Sequence, residues 1–145
     1  NQHGGCALYD WYCEGGAAYF GSTIGNTNDA DGSKRLAQLR TWSGNLGANR
    51  ALVAAGDKAT VIRLLNEWQG GSHTRDAIAG SYFLGNLATE VLVAAKGVET
   101  WASFTVEMST SSDFEANFKK HYGISLASFY QIVADYVVSQ PEIFE

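Results

Sequence analysis

The chain has 145 residues, 46% of them hydrophobic and 17% charged, and a formal net charge of −5 at neutral pH. That length is enough for one domain with a sizeable core, and the composition excludes a disordered segment. With no Lys/Arg run and no basic stripe, no nucleic-acid partner is expected.

Residues 1–8 read as an N-terminal arm. Cys6 in this arm stands close to Cys13, the second of two cysteines. In an oxidising compartment the pair would close a small loop, worth about 2.5 kcal/mol in the chain-entropy model. Otherwise they are two thiols, since their spacing is not that of a zinc knuckle. Few lysines and many Asn, Ser and Thr residues point to a secreted protein. "DWYCEGGAAYF" then sets Trp11 and Glu14 three apart, which on a helix is one face, a turn apart. The residues after Glu14 are small, so another backbone can approach closely there. A carboxylate in such a place needs a hydrogen bond, a counter-charge or a metal. An ordinary acid near a helix start is the competing reading.

"NTNDADGS" (26–33) is the clearest loop. Its Asp29-x-Asp31-Gly32 resembles part of a calcium loop, but Gln38 stands where the bidentate Glu is required, so it reads as a turn. A helix is predicted from about Lys34 to Gly44, with Leu36, Leu39 and Trp42 as its stripe. Asp57 can cap the next helix, whose apolar positions run from Val61 to Trp68 and which ends at Gly70 and Gly71. "SHTRD" opens a long central helix reaching Gly97. It is apolar nearly all round, and Ser81, Tyr82, Asn86, Thr89 and Glu90 within it favour a buried helix over a bilayer span. A further helix covers about Glu99 to Met108. Ser112 and Glu115 form a capping box for the next one, where Phe114 and Phe118 share a face. Gly123 ends that helix. "SLASFYQIVADYV" makes the last, with Leu126, Phe129, Val133 and Tyr136 on one side, and Pro141 follows. No strand pattern of comparable strength occurs. One all-α domain of six or seven helices around a long central helix is predicted.

Three segments together resemble the gluzincin metallopeptidases. "DWYCEGGAAYF" is similar to their W-x-x-E-G-x-A-x-Y/F segment, "AGSYFLGNLATEVLV" to their Y-x-x-G helix, and "DFEANFKKHYGISLASFYQIVADYV" to their closing segment. The resemblance spans about Leu8 to Val138 and implies the C-terminal helical subdomain of that family. It implies Glu14 as the third zinc ligand and Tyr82 as the hydrogen-bond donor to the tetrahedral intermediate. The family's other two ligands and its general base lie in H-E-x-x-H, whose second His stands roughly 19 positions before the ligand Glu. That position falls before Asn1, and no H-E-x-x-H occurs in the chain. His3, His73 and His121 are not four apart; His73 and His121 read as structural, and His3 as a solvated N-terminal histidine with contact to a metal as the competing reading.

A catalytic zinc needs about three protein ligands plus water. The chain alone is therefore expected to bind no zinc and hydrolyse no peptide. It would act with a missing N-terminal half, or else serve as a non-catalytic binding module or structural subunit of an extracellular assembly.

Overall fold

The computed structural model describes residues 9–25, 28–69 and 74–145. Among them are seven α-helices and no strand. They are α1 (Asp10–Gly25), α2 (Ser33–Ser43), α3 (Asn49–Ala54), α4 (Lys58–Glu67), α5 (Arg75–Met108), α6 (Phe114–Tyr122) and α7 (Leu126–Val138). Short 3-10 turns at Gly44–Leu46 and Pro141–Phe144 complete the elements. The 1–8 arm with His3 and Cys6, and the Gly70–His73 segment, lie outside the described residues. The Cys6–Cys13 pairing lies outside them for the same reason.

The helix starts follow local chemistry. Asp57 accepts from the Thr60 backbone N–H, Thr74 from that of Ala77 and Ser125 from that of Ser128, each satisfying an amide that the first turn leaves over. For α6 the cap is not Ser112. Asp113, one residue later, accepts from Ala116 N–H at 3.1 Å, so the expected Ser112/Glu115 box does not form. A carboxylate in the cap position wins because it brings its own charge to the helix N-terminus. The Asp29/Asp31 loop is likewise a cap. Asp29 accepts from the backbone N–H of Lys34 and Arg35, and Asp31 from that of Ser33.

Helix α5 is the axis. By length and apolar content it could cross a membrane, but 61% of its most apolar window is buried against the other helices. Gly97 interrupts it with φ 80° and ψ 168°, a conformation that side chains other than glycine resist. The two expected helices, one reaching Gly97 and one from about Glu99 to Met108, meet at this kink. Beyond the break, Trp101 stacks on Tyr12 with ring centroids 5.4 Å apart, and Thr105 Oγ1 hydrogen-bonds the Tyr12 phenol. Both stretches of α5 therefore pack along α1.

The tightest contact lies between α1 and the first stretch of α5. A Cβ built on Gly15 would stand 2.1 Å from the Gly85 carbonyl carbon. One built on Gly85 would stand 2.1 Å from the Trp11 carbonyl oxygen and 2.7 Å from Gly15 Cα. Only glycine lets two helix backbones meet so closely. Around this crossing the core is aromatic. Trp11 is fully buried, donates its Nε1–H to Tyr130 Oη at 2.8 Å, and packs edge-on against Tyr12 and Phe114. Tyr130 in turn donates to Gln69 Oε1 at 2.7 Å. Phe118 and Phe129 close the cluster from α6 and α7, with centroids 5.1 Å apart.

Replacing Gly85 by Ala should cost about 3 kcal/mol in urea denaturation, the upper range for overpacking, because the added methyl meets backbone that has nowhere to go. Gly21→Ala, in the same α1 helix but with nothing within 4 Å, should instead gain about 0.5–1 kcal/mol. Equal effects at the two sites would refute the close approach.

Candidate functional site: the Glu14–Tyr82 pair

Glu14 immediately precedes Gly15 on α1, and Tyr82 lies one turn before Gly85 on α5. Because Gly15 and Gly85 touch, the two side chains are delivered to the same edge of the crossing. The Glu14 carboxylate lies close enough to the Tyr82 phenol for its charge to act on it. Both residues are half-buried. Trp42, at the end of α2, covers the tyrosine ring at a centroid distance of 6.1 Å. Glu14 thus neither disappears into the core nor points freely into solvent, and Tyr82 is not a core residue.

The electrostatics follow from that contact. The Glu14 charge raises the Tyr82 pKa above its ordinary value, with a smaller contribution from burial. The phenol therefore stays protonated across the physiological range and remains a donor. A raised phenol pKa favours the fold below the unfolded pKa of about 10, and that contribution is lost as pH rises through the folded-state value.

What the pair can hold is limited by its neighbours. Among the described residues, no group of three His, Cys, Asp or Glu is placed to bind a metal ion. The Glu14 carboxylate has acceptor capacity to offer, since it carries about four lone-pair sites. The donor set fits one position of a three-ligand zinc centre and does not make a complete one. His121 is engaged elsewhere, with Glu107 of α5, in a cluster with Lys120. Hydrogen bonds from Lys120 and His121 hold the Glu107 carboxyl below its usual range.

A second polar arrangement was not foreseen. Arg35 of α2 grips Glu90 of α5 with two hydrogen bonds of 2.7 Å, and Tyr136 of α7 donates to the same carboxylate at 2.8 Å. Burial, then the Glu90 bond, push the Tyr136 phenol up to about 12. The signal available in the sequence was Glu90 itself, a charge on a helix otherwise apolar on most faces.

Compared with family models, curated proteins and solved structures, the chain matches none.

In Glu14→Gln the Tyr82 phenol should titrate at lower pH than in the parent, moving toward the ordinary tyrosine value. Carbon-13 NMR of ring-labelled tyrosine reads this, with Tyr82→Phe assigning the resonance. An unchanged titration would mean that the two groups do not meet.

Proposed function

We propose that this chain is the helical part of a gluzincin-type zinc metallopeptidase acting outside the cell, whose H-E-x-x-H segment would precede Asn1. One observation carries the reading. The Glu14 charge acts on the Tyr82 phenol, so the two positions to which the family resemblance assigns the third zinc ligand and the oxyanion donor are neighbours. The glycine partners of both motifs, Gly15 and Gly85, are the residues in contact at the crossing. The two motifs therefore support each other through one geometric cause.

In this reading Glu14 would hold zinc through its carboxylate, together with two histidines supplied from elsewhere. A bound zinc supplies Lewis acidity and lowers the pKa of its water toward about 7. Tyr82 holds its proton on the phenol oxygen, because the neighbouring carboxylate disfavours the phenolate. When a peptide carbonyl is attacked, Tyr82 donates to the oxygen on which charge develops. A fixed donor of this kind contributes about 10²–10³-fold to rate. Trp42, packed on the Tyr82 ring, limits the directions that the phenol can take. No general base is assigned to this chain.

Two measurements test the proposal. The coding sequence preceding Asn1 should encode H-E-x-x-H with its second His roughly 19 positions before Glu14. A secretion leader running straight into Asn1 would overturn the reading in favour of a binding module or assembly subunit. In the protein purified with that segment, Tyr82→Phe should keep its zinc and lose about 10²–10³-fold in peptide hydrolysis, whereas Glu14→Gln should lose the zinc. Zinc content indifferent to Glu14 would contradict the assigned ligand.

A further inference from the structure

A cleft of about 280 Å³ opens between the C-terminal end of α1, the start of α2 and the middle of α5. On α5 it lies one turn beyond Tyr82, at Asn86 and Glu90. Its size is at the lower edge of ordinary ligand pockets, about 300–1,000 Å³, so it suits one side chain or a small head group.

The informative residue is Asn86. It is 4% exposed, it lines the cleft, and its carboxamide has no hydrogen-bond partner among the described residues. Its polar atoms open onto the cleft and are not sealed in the core, so they are available to a ligand. Its neighbours in the helix, Leu84, Leu87 and Ala88, are simply apolar and buried.

The charges around the cleft select the ligand. Asp29 and Glu90 are carboxylates, and Arg35 is the cation between them. Arg35 is neutralised by its paired bonds to Glu90, so Asp29 leaves one unbalanced negative charge. The last turn of α1 has no basic residue, so its carbonyl ends add negative potential. The opposite field, from the first turn of α2, is already met by Asp29 and Asp31 on the backbone N–H of Ser33, Lys34 and Arg35. The backbone donors of that turn are therefore taken, and the net negative charge of the lining favours a cation. The ring of Tyr19 and the side chain of Leu39 offer an apolar wall for an alkyl stem.

We propose that this cleft binds a primary alkylammonium group, with the Asn86 carboxamide oxygen accepting from the ammonium and Asp29 balancing its charge. Two sources share this chemistry, the lysine side chain of a peptide and a small free amine. The inference does not depend on metal binding at Glu14.

The test is an NMR titration of the nitrogen-15-labelled chain without metal. Nα-acetyl-lysine N-methylamide should shift the Asn86 and Gln38 side-chain amides saturably, in the millimolar range. Nα-acetyl-norleucine N-methylamide, with the same stem and no charge, should not. Tighter binding of the blocked lysine than of n-butylamine would assign the source to a peptide, and equal binding would assign it to a free amine. Asn86→Leu should weaken the lysine derivative at least tenfold while leaving the melting temperature unchanged or raised. Equal shifts with norleucine, shifts with calcium chloride but no amine, or a lowered melting temperature in Asn86→Leu would each overturn the proposal. The comparison of lysine with norleucine on the parent chain stands even where the variant folds poorly.

Discussion

The contact between Gly15 and Gly85 is the constraint from which the rest of the structure follows. Two helix backbones meet there with no side chain between them, and a methyl group on either residue would enter the backbone of the other helix. Such an approach fixes the axial register of α1 on α5, because sliding either helix by one residue would present a side chain to backbone. Once the register is set, the neighbours of the two glycines are set with it. Trp11 falls into the aromatic cluster, while Glu14 and Tyr82 fall side by side at the rim. The polar pair is thus positioned by packing and not by its own attraction, which at a half-exposed site is modest.

The surroundings make that register rigid. The Trp11 indole bonds Tyr130, which bonds Gln69, so α1 is tied to α7 and to the end of α4 through buried polar contacts. The stretch of α5 beyond Gly97 packs on the opposite flank of α1 through Trp101, Phe104 and Tyr12. On the other side of α5, Arg35, Glu90 and Tyr136 tie α2, α5 and α7 in one bonded group. A site at the α1/α5 rim therefore rests on elements held from several directions, as a preorganised site requires.

The helical class and most element positions were legible because they depend on local signals. Asp57, Gly123 and the stripe of Leu126, Phe129 and Val133 each acted as their chemistry dictates. The short helix Asn49–Ala54 was missed, having too few turns to show a period. The α6 cap was misplaced by one residue, because Ser112 and Asp113 are both competent caps and only the charged one was used. The proximity of Glu14 and Tyr82 was not legible in the helical pattern. Helical periodicity says which face is apolar but not which helix crosses which, and 68 positions separate the two residues. Arg35 and Glu90, 55 positions apart and on separate helices, gave no motif and went unseen. Asn86 was read only as a polar residue in a buried helix, since its lack of a partner exists only in three dimensions.

The central claim is that the glycine crossing places the Glu14 carboxylate against the Tyr82 phenol. A double-mutant cycle on Glu14→Ala and Tyr82→Phe, read by chemical denaturation, tests it most directly. An interacting pair at this half-buried rim should give a coupling energy of about 0.5–1 kcal/mol. Effects that add to within about 0.3 kcal/mol would show that the two groups act apart, and the site built on them would not stand.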